Sequence, residues 1–244
     1  MERIAANSVL PAIREPLTLR TADGLELVGE LALPEPGPAA ATIVCVHPLP
    51  THGGMMDSHL FRKAAWRLPA LADLAVLRFN TRGTTSAAGT SQGQFDASTA
   101  EGLDLESAVE EAQRRDLPNI WVVGWSFGTD VVLRHGRLPG VSGVLLLSPP
   151  LRYAQDSDLV RWAEDGRPMI VMVPEFDDFL PPALAAPHFA RVPQAEVIAV
   201  EGAKHLWVGE KYTSIVLDQI AAATGRPTPL PSEWDGPMSK WSDL

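Results

Sequence analysis

The segment G-W-S-F-G at positions 124–128 is where residue types and spacing in this 244-residue chain point most directly to chemistry. A serine hydroxyl is a poor nucleophile at neutral pH. It becomes useful where the backbone presents it and a neighbouring base takes its proton. Here an apolar, β-branched run, N-I-W-V-V, enters the motif, and T-D-V-V-L-R-H, helical in character, leaves it. A strand that becomes a helix within one residue strains that residue and crowds the residues two places to either side. Gly124 and Gly128 have no Cβ to clash, so Ser126 is lifted off the sheet edge as a candidate nucleophile. The N–H of Phe127 opens the helix, aimed where negative charge develops on an attacked carbonyl.

The base for such a serine is expected to be an imidazole held by a carboxylate. The six histidines are His47, His52, His59, His135, His188 and His205. His205, in E-G-A-K-H-L-W, follows the last apolar run on a short loop before the final helix and is the favoured base. His135 and His188 fall in helix candidates and are expected to be surface or packing residues. His47 and His52 share the loop after the third strand, a position from which they could line the site without being the base. For the acid, the loop V-P-E-F-D-D-F-L-P-P offers Glu175, Asp177 and Asp178. Adjacent residues of an extended segment cannot both point inward, so Asp177 is favoured and Asp178 stays open as the alternative. The competing reading of the pair is a solvated loop whose carboxylates cap the helix that follows.

These residues need a scaffold that gathers them. Strand-like runs occur over 16–20 and 25–33, joined by the turn T-A-D-G, then over 41–46, 74–79, 119–123, 141–147, 168–173 and 195–200. Helical spacing appears over 57–68, stopping before Pro69, over 100–115, after Ser126, and over 208–224 with Gly225 as terminator. Buried strands alternating with helices imply a mainly parallel sheet covered on both faces. The carboxyl ends of such strands are where chemistry collects. Only 20 residues (148 to 167) separate two late strands, room for one helix at most and not for a lid domain. The Gly/Ser/Thr-rich loop 84–99 reads either as a mobile segment near the entrance or as a passive connection.

With 45 % apolar and 20 % charged residues the chain can bury a large core, and global disorder is excluded. A formal charge of −10 with no local basic patch argues against nucleic acid and anionic membrane surfaces. One cysteine, Cys45, cannot make an internal disulfide and reads as a core residue. No leader-like or membrane-spanning segment is evident, so a soluble, cytoplasmic protein is expected. His47 and His52 lack companions at metal-ligand spacing, and no dinucleotide or phosphate loop is present, so neither metal nor cofactor is expected. The domain is expected to occupy 1–225, with a Pro- and Ser-rich tail over 226–244. That tail carries Trp234 and Trp241, which suggests docking on its own domain, a homo-oligomer or another partner.

H-P-L-P-T-H-G-G at 47–54, R-F-N-T-R-G at 78–83 and D-D-F-L-P-P at 177–182 accompany the serine motif. Together they resemble the α/β-hydrolase superfamily, in particular its small bacterial members without a lid domain, over approximately residues 15–225. The resemblance implies an eight-stranded, mostly parallel sheet flanked by helices. It implies a Ser126, Asp177, His205 triad in that chain order, and a second oxyanion-hole N–H from Leu49 beside that of Phe127. Pro48 stands where many relatives have glycine, and Trp125 and Trp207 flank the proposed serine and histidine, either narrowing the acyl pocket or packing. Ser126 in place of Asp or Cys argues against dehalogenase, epoxide hydrolase and thiol chemistry.

The expected activity is cleavage of a carboxylic ester or related acyl bond of a small-molecule substrate through an acyl-enzyme. Thioesterase or acyltransferase activity would use the same residues. A non-catalytic binding protein on a retained scaffold is the alternative of a different class, with the tail as its docking element.

Overall fold

A computed structural model describes residues 1–243. Eight strands form one sheet: β1 (Ile13–Arg20), β2 (Glu26–Leu33), β3 (Ala41–Val46), β4 (Leu74–Phe79), β5 (Ile120–Trp125), β6 (Val141–Leu147), β7 (Met169–Phe176) and β8 (Ala195–Lys204). Their spatial order is β8-β7-β6-β5-β3-β4-β2-β1. Only β2 runs antiparallel to its neighbours, β1 and β4; the remaining pairs are parallel. β3, β4 and β5 bury every side chain, as strands covered on both faces must. Successive residues split between the two faces. Ile43 and Val123 pack under α1 (His59–Ala72) and α6 (Glu210–Ala223). Val44 and Val122 pack under α2 (Glu101–Arg114), α3 (Phe127–His135), α4 (Asp156–Asp165) and α5 (Pro182–Phe189).

Several element ends shift by one to four residues from the sequence expectation, and three of these shifts have an identifiable local reason or consequence. The expected stop before Pro69 is wrong: α1 runs through it to Ala72. Proline cannot bond the carbonyl four residues back, and that carbonyl, of Ala65, accepts instead from the Arg14 guanidinium (3.3 Å). Leu10 N–H likewise occupies the carbonyl of Trp66 (3.0 Å), so the N-terminal segment satisfies what the proline leaves open. Strand β5 begins at Ile120 and not at Asn119, because Asn119 takes a left-handed φ of 45°. Strand β8 extends to Lys204, four residues further than its apolar run, and this extension matters to the site.

The loop after β4 is held along the sheet edge. The Ser91 hydroxyl accepts from Val28 N–H (3.0 Å) and the Gln92 side chain from Glu26 N–H (2.9 Å), so residues 84–92 cover β2. The tail folds back on the chain. Glu233–Trp234 pairs with Glu2–Arg3, and Ser239–Lys240 pairs with Ser8–Val9. The Arg62 guanidinium stands over the rings of both Trp66 (5.0 Å) and Trp241 (4.8 Å), whose centroids are 6.3 Å apart. No helix among the described residues is long and apolar enough to cross a membrane.

Candidate active site

Four loops at the carboxyl edge of the sheet converge, one each after β3, β5, β7 and β8. Ser126 follows β5 directly, with φ 53° and ψ −118°, a conformation that L-residues rarely adopt. Its N–H donates to Leu147 O (2.8 Å), and its carbonyl accepts Thr129 N–H (2.8 Å), which fixes the turn. A Cβ on Gly124 would come within 2.7 Å of Gly128 O, and one on Gly128 within 2.0 Å of Val46 O. Gly128→Ala therefore has to push α3 off β3. A stability loss of about 3 kcal/mol or more is expected by denaturant unfolding, and an unchanged midpoint would contradict this packing.

Among the six histidines, His205 alone reaches the serine: its Nε2 lies 2.8 Å from Ser126 Oγ. Its Nδ1 lies 2.8 Å from Asp177 Oδ2, while Asp177 Oδ1 accepts the N–H groups of Phe179 (2.9 Å) and Leu180 (3.1 Å). Asp178, next in sequence, is exposed, and Glu175 accepts Gly202 N–H (2.7 Å) away from the imidazole. Burial opposes ionisation of Asp177, but the bonds from His205, Leu180 and Phe179 outweigh it and hold its carboxyl below the ordinary aspartate value.

The meeting of Asp177 and His205 rests on a bulge. Along β7 and β8, Pro174 pairs with Val200 but Phe176 pairs with Lys204, so β8 carries two extra residues. Without them Asp177 would face Ala203; with them it faces His205. Pro174 has no N–H for the ladder, and Gly202, at φ 71°, takes the bend. The sequence signal was the pair Pro174 and Gly202 in otherwise strand-like runs.

His47 and His52 do not line the cavity beside Ser126. His52 is exposed and bonds Thr51 Oγ1 (3.0 Å). His47 is fully buried, its Nδ1–H donating to Pro48 O (2.7 Å) and its Nε2 accepting Thr81 N–H (3.0 Å). It ties the loop bearing Leu49 to the loop after β4. Burial drives its pKa down from 6.5 to about 4, only partly offset by the Pro48 bond. The folded state thus binds fewer protons than the unfolded chain between those values. His47 supports folding fully above about pH 6.5, and about 3 kcal/mol of that is lost as pH falls to about 4. His47→Gln is expected to flatten the fall in unfolding free energy across this window, and parallel curves for the two proteins would contradict the assignment.

Trp125 and Trp207 pack and do not narrow the cavity. Both are buried. Trp125 Nε1–H donates to His205 O (3.2 Å), Ser148 Oγ donates to the same carbonyl (3.1 Å), and Trp207 Nε1–H donates to Ser148 Oγ (2.9 Å). The three clamp the His205 backbone from below. His59, another residue whose role the sequence did not reveal, bonds Leu206 O through Nε2 (2.7 Å) on the same loop. Cys45 is buried in β3, where desolvation pushes its thiol pKa up, and Ile43 and Val123 belong to the same core.

A cavity of about 280 Å³ opens beside Ser126 and is lined by Leu49, Phe127, Tyr153 and Phe179 among others. The Phe179 ring stands edge-on to the His205 ring at 4.6 Å. Neither Leu49 N–H nor Phe127 N–H has a hydrogen-bond partner among the described residues.

No protein-family model and no curated protein matches the sequence. Solved structures do match. XC6422 of Xanthomonas campestris, described as an α/β serine hydrolase without lid, is 25 % identical, over 91 % of this chain and 99 % of that one, with a TM-score of 0.71. An α/β serine hydrolase homologue from Coxiella burnetii is 20 % identical over 86 % and 96 % of the two chains, at 0.72. The Pyrococcus furiosus esterase Pf2001 is 15 % identical over 86 % and 89 %, at 0.69. With its strand order, its serine turn and these neighbours, the chain has the α/β-hydrolase fold in the form without a lid domain.

Proposed function

We propose that the protein is a serine hydrolase that cleaves carboxylic esters or related acyl bonds. The observation that carries this reading is the unbroken chain of two 2.8 Å contacts from Ser126 Oγ through His205 to Asp177. Asp177 accepts the Nδ1 proton, so Nε2 is the free base and takes the hydroxyl proton as Oγ attacks the carbonyl carbon. The oxyanion forms between Leu49 N–H and Phe127 N–H. The imidazolium then gives its proton to the departing oxygen, leaving an acyl-enzyme. Water, deprotonated by the same imidazole, releases the acid.

The neighbours described as serine hydrolases and as an esterase support this class. A cavity of about 280 Å³ is at the small end for ligand sites and suits a short acyl chain. The tail is folded against the chain's own N-terminal residues, so no observation favours the binding-protein reading. The test is a panel of p-nitrophenyl esters and matching thioesters from acetyl to decanoyl. Turnover is expected to peak at the short esters. No turnover above the hydroxide background with any member would contradict the proposal.

A further inference from the structure

Asp130 lies one helical turn beyond Ser126 in α3 and is fully buried, yet it lines the cavity against that serine. Its Oδ1 accepts the N–H groups of Tyr153 (3.1 Å) and Ala154 (2.9 Å), whereas its Oδ2 has no hydrogen-bond partner among the described residues. A buried carboxyl oxygen without a partner is destabilising, and such atoms in folded proteins call for an explanation. Here the walls around it are largely apolar, with Phe127 and Tyr153 among them, and Asp130 is the one acidic side chain of the lining, beside Ser126 and Arg152.

Resting on the hydrolase reading above, we infer that Asp130 is a specificity-determining residue whose Oδ2 hydrogen-bonds a hydroxyl on the acyl chain, so that the substrates are hydroxyacyl esters. Burial raises the pKa of the Asp130 carboxyl, against the bonds from Ala154 and Tyr153, so it resists ionising without a partner. A hydroxyl suits it in either state, donating to the carboxylate or accepting from the acid. An ammonium is disfavoured by Arg152, which lines the same cavity, and a substrate carboxylate by Asp130 itself. Asp130 stands three residues into α3, whose first residue follows Ser126, about 5 Å along the axis. That distance is spanned by a hydroxyl near the third carbon of the acyl chain plus its hydrogen bond.

The experiment compares kcat/KM for p-nitrophenyl 3-hydroxybutanoate and p-nitrophenyl butanoate, each divided by its hydroxide-catalysed rate. Wild type is expected to favour the hydroxy ester by about tenfold or more. Asp130→Leu is expected to bring the ratio to about one. Asp130→Asn keeps the Oδ1 acceptor for Tyr153 and Ala154 and offers an N–H to the hydroxyl, so its ratio is expected to stay within about threefold of wild type. A merely structural role for Asp130 would move rates but not this ratio. A wild-type ratio near one, or a ratio that survives Asp130→Leu, overturns the inference while leaving the hydrolase reading intact. Turnover of neither ester overturns both. Should Asp130→Leu fail to fold, the wild-type ratio decides, with Asp130→Asn losing the preference as a further contradicting outcome.

Discussion

Ser126→Ala is expected to reduce p-nitrophenyl acetate turnover to the hydroxide background, a loss of about 10⁴-fold or more. The hydroxyl is the atom that attacks, and no other nucleophile is poised to replace it: Cys45, the single cysteine, is buried in β3. Loss of the methylene-bound oxygen leaves the turn intact, since its bonds to Leu147 and Thr129 use backbone atoms. The variant should therefore unfold at the wild-type denaturant concentration. His205→Ala should lose about as much, and the double variant no more than either, because the two groups act as one unit. A single variant that retains a tenth of the activity, or losses that multiply in the double variant, would contradict a shared step.

Asp177→Asn should lower kcat by about 10⁴-fold through the tautomer of His205. Oδ1 of residue 177 receives two backbone N–H groups, from Phe179 and Leu180, so an asparagine there keeps its oxygen on that side. Its NH₂ group then faces His205 Nδ1, which must accept, and the ring proton moves to Nε2. An imidazole protonated at Nε2 cannot take the proton of Ser126. Asp178→Asn is the matched control: Asp178 is exposed, and a change below about threefold is expected. Equal losses from the two variants, measured as kcat at saturating ester, would show that the acid is not singled out by this geometry.

What could be read in the sequence followed from steric rules that act within a few residues. The glycines around Ser126 are such a case, since a Cβ at either would strike backbone. The strand runs are another, because strands buried on both faces must be apolar throughout, as β3 and β5 are. Less legible were features that depend on partners far along the chain. Pro69 reads as a helix stop until Arg14 is seen to occupy the carbonyl it leaves open. His47 reads as a site residue until Thr81, 34 positions on, is seen to fill its Nε2. The bulge in β8 is a matter of register between two strands, and no single strand shows it. Leu49 could be named only by resemblance, because the direction of its N–H is set by a loop held through that same His47 contact. The indole and hydroxyl groups beneath His205 were visible as residue types, but their shared target is a backbone carbonyl brought near by folding.

Labelling with a fluorophosphonate probe, followed by peptide mapping, asks most directly whether the serine is activated by its neighbours. Wild type should gain one phosphonyl group, on Ser126, within minutes at micromolar probe, while His205→Ala under the same conditions stays unlabelled. A wild-type serine that remains unmodified, or one that labels equally fast without the imidazole, would contradict nucleophilic catalysis at this site.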